Sequence, residues 1–154
     1  MQKLGGKIMK KALAVKLNKY LANLSVEYIK LHNLHWNVVG INFKAIHEYL
    51  EGLYDGVSAS LDAVAELLKM HEEVPLASLK EHLAVSNIEE LPSVEVKGVE
   101  SLNIVLKDFE LMKALAEEIR AEADEEDAYD VVGMMEGDLE QYNKSIWFIK
   151  AMLK

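Results

Sequence analysis

The chain has 154 residues, of which 51% are hydrophobic and 28% are charged, with two prolines and no cysteine. This composition predicts one helical domain, and it excludes disulfides, thiolate catalysis and cysteine-ligated zinc or iron–sulfur sites. The net charge of −9 is uneven, because the first 20 residues hold six lysines and no acid, and the acidic remainder should repel nucleic acid and attract cations. We expect a cytoplasmic protein, since the sequence contains neither an apolar run long enough for a membrane span nor a secretory signal.

The first two helices follow a basic arm, residues 1–7, that we expect to be mobile. The first helical pattern ends near His35, and Gly40 is the predicted stop because glycine accepts a left-handed backbone. Asn42 is the predicted N-cap of the second helix, which fades after Met70. The apolar row of the first helix is Leu13, Leu17, Tyr20, Leu21, Leu24, Tyr28 and Leu31. That of the second is Phe43, Ile46, Leu50, Leu53, Val57, Leu61, Val64 and Leu68.

The later helices are separated by a long connection. Residues 72–97 are too many for a simple loop, so we predict a short helix around Leu79. Apolar rows predict a third long helix over 102–119 and a fourth over 132–153. Short, long and short connections favour two antiparallel pairs joined by one crossover. The predicted fold is therefore an all-α, ferritin-like four-helix bundle with a short extra helix in the crossover, forming a single domain of residues 1–154.

Side chains of the types that bind metals line one side of the second helix. His47 and Glu51 form one i,i+4 pair, and Asp62 and Glu66 form another, all within about 100° around the axis. His47 and Asp62 are about 22 Å apart at ~1.5 Å per residue, too far to hold the same ion. A two-fold axis near the helix midpoint would bring opposite ends of two copies together. The sequence thus suggests a metal site shared between subunits.

The nature of the metal follows from the donor atoms. Imidazole with carboxylates suits iron, manganese or zinc, and an oxygen-rich set favours iron. A single histidine or glutamate at these positions is more often a core or solvated residue than a ligand, so the combination matters. The Glu-x-x-His pairs that ferritin-like di-iron proteins carry inside the bundle are absent from the sequence, which agrees with a site at an interface.

The segment LHNLHWNVVGINFKAIHEYLEGLYD, followed by LDAVAELL, closely resembles the Dps family of mini-ferritins, and the resemblance covers nearly the whole chain. The shared motif falls on His35–Trp36, His47, Glu51, Asp62 and Glu66. It implies a homo-oligomeric shell of twelve subunits with iron sites at two-fold interfaces. There His35, His47 and Glu51 come from one subunit, and Asp62 and Glu66 from its neighbour. It also implies a ferroxidase that oxidises Fe(II), preferentially with hydrogen peroxide, and stores ferric mineral, protecting against oxidative damage.

The sequence departs from that family at several positions. Glu51 stands where aspartate is frequent, and Leu67 where an arginine commonly follows the last glutamate. Trp36 is a candidate electron donor, although an aromatic residue at an interface is the simpler interpretation. Trp147 is expected in the core and His82 on the surface.

The family's acidic pore is also altered. Tyr129 and Gly133 occupy positions where some relatives have aspartate, so Asp127 and Asp130 are the expected acids of the pore through which iron enters. Acids are also common at helix N-termini for capping and dipole reasons, which is the alternative interpretation.

Two rival functions remain open. A shell could coat DNA through its lysine-rich arms, with Lys3, Lys7, Lys10 and Lys11 as contacts. Such binding should be weak and salt-sensitive, because the body of the protein is acidic. The other rival is a helical scaffold with no chemistry.

Overall fold

The computed structural model describes residues 8–154, and the arm of residues 1–7 lies outside them. Within that range the regular structure consists of four long helices, one short helix and two very short strands. The elements are α1 (Lys11–Asn37), β1 (Val38–Val39), α2 (Phe43–Met70), α3 (Leu79–Val85), β2 (Val96–Lys97), α4 (Gly98–Glu125) and α5 (Tyr129–Met152). None of the helices in this part of the chain is long and apolar enough to cross a membrane.

The two short strands fix the directions of the helices. β1 follows α1 and β2 precedes α4, and the strands pair in parallel, with Val38 opposite Val96. Helices α2 and α4 therefore begin at the end of the bundle where α1 finishes, so both run opposite to α1. Helix α5 returns beside α4 after a turn of residues 126–128. This is the predicted ferritin-like order, in which a crossover joins two antiparallel pairs.

The turn between α1 and α2 depends on a glycine. Gly40 has a φ of +121°, in the region that favours glycine, and its carbonyl accepts a 3.0 Å hydrogen bond from the Phe43 N–H. The predicted helix stop is confirmed. Asn42 does occupy the N-cap position of α2, but its side chain makes no capping hydrogen bond. Its φ of −96° and ψ of 16° differ from the extended backbone that capping residues usually adopt. The predicted position of the cap is therefore confirmed, and the predicted capping hydrogen bond is wrong.

The core fills the space between the four long helices. On α1 the buried stripe advances by alternating steps of four and three residues: Leu13, Leu17, Tyr20, Leu24, Glu27, Leu31 and Leu34. Two sequence predictions about the core are wrong. Phe43 is 42% exposed because it starts α2, beyond the packed part of the bundle, and Trp147 is 66% exposed because Tyr142, Ile146 and Ile149 take the inward face of α5.

The crossover is attached to α1 by a buried amide. Asn23 donates to Asn87 at 2.8 Å, and its carbonyl oxygen accepts from the Asn87 N–H and the Ser86 hydroxyl. The short helix α3 is capped by Ser78, whose hydroxyl oxygen accepts from the Glu81 N–H at 3.3 Å. His82 is buried, not on the surface as predicted, because its Nε2–H donates to the Leu76 carbonyl at 2.7 Å.

Candidate metal centre

His35 and His47 meet at the end of the bundle where α1 gives way to α2. Each ring donates a hydrogen bond of 2.7 Å from Nδ1 to the other residue's backbone carbonyl, so the two bonds are reciprocal. The rings stack with centroids 3.6 Å apart and planes 15° apart. Since a carbonyl can only accept, Nδ1 carries a proton in both rings, and in the neutral form of each ring the free lone pair is on Nε2. Neutral imidazoles oriented by a backbone carbonyl are the usual form of metal-binding histidines.

An aromatic cluster supports the histidine pair. The Tyr54 ring meets the His35 ring edge-on with centroids 5.2 Å apart, and the His32 ring stacks on Tyr54 at 3.8 Å. The Phe43 ring lies 4.9 Å from the His47 ring, one helical turn along α2. Sequence reasoning missed Tyr54, although its spacing of seven residues from His47 places both on the same side of α2.

The three predicted carboxylates are exposed on α2. Glu51 accepts a long hydrogen bond of 3.4 Å from the Tyr54 hydroxyl, which ties it to the histidine end. Asp62 and Glu66 lie farther along the same helix, at its other end. Among residues 8–154, no three histidine or acidic side chains of one chain are close enough to hold a metal ion together. One copy of the chain therefore brings His35 and His47 together but does not bring all five predicted ligands together.

The other predicted site residues are scattered over the surface. Trp36 is 66% exposed and lies 5.2 Å from the His32 ring, next to the aromatic cluster. Asp130 is in the first turn of α5, where its carboxylate accepts from His71 Nε2 at 2.8 Å and from the Val131 N–H at 2.9 Å. Asp127 lies in the preceding turn with a φ of 56°. These two aspartates thus flank the start of α5, as the pore prediction requires, while the pore itself stays a prediction.

The candidate DNA contacts are only partly within the described residues. Lys3 and Lys7 lie outside them. Lys10 and Lys11 have exposed side chains at the start of α1, and the Lys10 backbone N–H donates to the Glu126 carboxylate at 3.2 Å.

A second group of charged side chains lies inside the bundle, where no site was predicted. Glu27, Lys30 and Asp108 are 1%, 6% and 5% exposed, and the Lys30 ammonium is 2.6 Å from the Asp108 carboxylate. Burial, and then the Asp108 charge, hold the pKa of Glu27 well above its ordinary value of 4.5. A carboxyl whose pKa is raised gives up its proton less readily, and an ion-paired carboxylate already has its cation, so both are poor metal ligands. The sequence did contain a signal, because Glu27 occupies a core position in the alternating stripe of α1.

The chain is similar in sequence to a known family and to individual proteins. A family model described as the ferritin-like domain matches residues 14–154. Antigen TpF1 of Treponema pallidum is 38% identical over 144 residues, covering 93% of this chain and 81% of that protein. A DNA protection during starvation protein of Brevibacillus brevis is 37% identical over 145 residues, covering 92% of this chain and 95% of that protein.

Solved structures agree in fold. The crystal structure of TpF1 superimposes with a TM-score of 0.91 at 36% identity, covering 93% of this chain and 92% of that one. A Dps protein of Vibrio cholerae, described as a member of a broad superfamily of ferritin-like diiron-carboxylate proteins, gives a TM-score of 0.89 at 26% identity, covering 94% and 90%.

Proposed function

Because the chain belongs to the Dps family of ferritin-like proteins, we propose that it is a ferroxidase and iron store. It oxidises Fe(II), preferentially with hydrogen peroxide, and keeps the ferric product inside a shell of identical subunits. The observation that carries this proposal is the reciprocal pair of His35 and His47, which leaves the Nε2 atom of each neutral ring available. Glu51 is linked to the same end of α2 through the hydroxyl of Tyr54. This arrangement supplies half of a site for a transition metal and calls for carboxylates from elsewhere.

The missing half comes from a second copy of the chain. Pairing two α2 helices antiparallel about a two-fold axis near their midpoints sets Asp62 and Glu66 of one subunit opposite His47 and Glu51 of the other. Exposed apolar side chains support association, among them Ile29, Trp36 and Ile41, which are 53%, 66% and 102% exposed. The number of twelve subunits rests on the family resemblance.

The residues divide the chemistry between them. The two neutral imidazoles hold Fe(II), and the carboxylates favour the higher charge of Fe(III) as it forms. Two Fe(II) ions that each give one electron to the same peroxide, with two protons, convert it to two waters and release no hydroxyl radical. The net charge of −9 raises the local concentration of the Fe(II) substrate, and Asp127 and Asp130 guide it inward.

The test is Fe(II) oxidation followed by absorbance, with equimolar peroxide and with oxygen alone. Asp62→Ala/Glu66→Ala should slow the peroxide reaction at least about 100-fold, since losing ligands should cost no less than losing their supporting contacts. Glu89→Ala/Glu90→Ala, which removes two exposed acids from the crossover, is the matched control and should react like the unmodified protein. Undiminished oxidation in the first variant, with assembly intact, would overturn the site.

A second candidate function is DNA binding, favoured by relatives named DNA protection during starvation proteins and by the exposed Lys10 and Lys11. Replacing these two with glutamine, together with Lys3 and Lys7, should abolish any gel shift at low salt. Binding that persists at moderate salt in this variant would place the DNA contact elsewhere.

A further inference from the structure

A chain of three hydrogen-bonded groups crosses the core between α1 and α5. The Tyr20 and Tyr142 hydroxyls are 2.8 Å apart, and the Tyr20 hydroxyl is also 2.8 Å from Asp138 Oδ2. Tyr20 has one proton, and the carboxylate can only accept, so Tyr20 donates to Asp138 and Tyr142 donates to Tyr20. Tyr20 is fully buried and Tyr142 is 7% exposed. The iron chemistry proposed above uses none of these three groups.

A cleft leads to this hydrogen-bonded chain from the surface between α2 and α5. Asp138 and Tyr142 line it, and its volume is about 110 Å³. Gly52 and Gly56 form part of its α2 side, where a Cβ would meet no atom within 4 Å. The space is sufficient for water or for a small oxidant derived from peroxide.

We propose that Tyr20, hydrogen-bonded to Asp138 and Tyr142, is a proton-coupled electron donor that quenches one-electron oxidants, which makes the protein a radical trap. This rests on the proposed function, because a single Fe(II) that reduces peroxide by one electron yields Fe(III), hydroxide and a hydroxyl radical. Tyr20 then gives one electron to the hydroxyl radical, which becomes hydroxide. The phenolic proton passes to Asp138 Oδ2, leaving a neutral Tyr20 radical and a protonated carboxyl, and the Tyr142 hydroxyl donates its hydrogen bond to the radical oxygen.

The surroundings of Tyr20 favour coupled loss of its electron and its proton over loss of the proton alone. Burial raises the pKa of Tyr20 well above its ordinary value, so the phenol stays protonated until the electron leaves. Burial is also the main cause that raises the pKa of Asp138, which makes that carboxylate a better proton acceptor than an exposed one. A charged phenolate or a cationic radical is avoided at every stage, as a buried site requires.

The experiment is electron paramagnetic resonance of the assembled protein, frozen rapidly after oxidation. One arm uses peroxide with substoichiometric Fe(II), and the other uses a photochemical ruthenium oxidant with metal-free protein. Tyr20→Phe keeps the ring and removes the hydroxyl, and should abolish the tyrosyl signal. Asp138→Asn should lower the radical yield about tenfold, the loss expected for one charge-assisted hydrogen bond. Tyr129→Phe, which alters a tyrosine that is 74% exposed at the start of α5, is the matched control and should leave the signal unchanged.

Tyr142→Phe provides a readout that a purely structural role would not affect. The signal should remain but shift to a higher gx at high field, because the radical keeps the hydrogen bond from protonated Asp138 and loses the one from Tyr142, and gx of a tyrosyl radical rises as its hydrogen bonding weakens. A tyrosyl signal with the ruthenium oxidant but not with iron and peroxide would support Tyr20 as an electron donor. It would overturn the proposal that iron and peroxide generate the oxidant. No signal with either oxidant, an unchanged signal in Tyr20→Phe, or an unchanged gx in Tyr142→Phe would overturn the donor.

Discussion

Helix α1 carries a carboxyl group, Glu27, in the middle of the bundle and a histidine, His35, near its end. The two places differ in which groups neutralise or hydrogen-bond these side chains. Glu27 lies inside the bundle, about 12 Å before His35 at ~1.5 Å per residue. There Lys30 pairs with Asp108 at 2.6 Å, and burial together with the Asp108 charge raises the pKa of Glu27, so that this carboxyl holds its proton more tightly than an exposed one. At the end of the helix, His35 and His47 use their Nδ1 protons on backbone carbonyls and leave both Nε2 atoms unused.

The difference shows that residue type alone does not make a metal site. A buried carboxylate must be neutralised by a proton or a cation. In the bundle centre Lys30 is the cation for Asp108, and the raised pKa of Glu27 favours its protonated form. A neutral imidazole carries no charge that must be matched, so His35 can be buried and still keep an unused lone pair, as the proposed metal site requires. Replacing the members of each group should make this contrast measurable.

The largest effect is expected from Lys30→Met, which leaves the Asp108 carboxylate buried without its cation. Unfolding in urea at fixed protein concentration should show a loss of about 3–5 kcal/mol, the usual cost of breaking a buried ion pair. Lys30→Met/Asp108→Leu should recover most of that loss, because no buried charge is stranded. If the single variant is as stable as the unmodified protein, the ion pair is not desolvated as the structure indicates.

An intermediate effect is expected from Glu27→Gln and depends on pH. Because the folded pKa of Glu27 lies above 4.5, the folded chain binds the proton more tightly than the unfolded chain. The stability due to this group is therefore complete below about pH 4.5 and falls by up to about 1.4 kcal/mol per pH unit above it, until the folded pKa is passed. Glutamine should remove this slope. The melting temperature of the variant, measured against that of the unmodified protein, should therefore be more favourable at neutral pH than at pH 5. Parallel pH profiles of the two proteins would contradict a raised pKa of Glu27.

The smallest effect is expected from Tyr54→Phe at the histidine end. The change removes only the 3.4 Å hydrogen bond to Glu51 and keeps the ring contacts with His32 and His35. Zinc affinity, measured by calorimetry as a redox-inert probe, should fall about twofold. Tyr54→Ala, which also removes the stacking, should weaken binding about tenfold. Equal losses in both variants would mean that the hydroxyl, and not the ring, orients the site.

Much of the bundle could be predicted from spacing because each helix has one inward stripe. The short crossover helix and the Gly40 turn were also predictable, since a long connection and a left-handed stop leave local signals. Trp147 and Phe43 were misplaced because hydrophobic character does not say whether a position faces the core of one chain or its exterior.

The sequence by itself determined the helical class, the order of the connections and the ligand types on α2, because helical periodicity and donor chemistry are properties of the chain alone. Only the tertiary structure decided which of the potential ligand atoms are already used in hydrogen bonds or ion pairs and which are not. The reciprocal bonds of His35 and His47 require two helix ends to meet. The pairing of Lys30 with Asp108 requires α4 to pack against α1. Hydrogen bonds and ion pairs between distant segments depend on distances of a few ångströms, which no pattern along a single helix specifies.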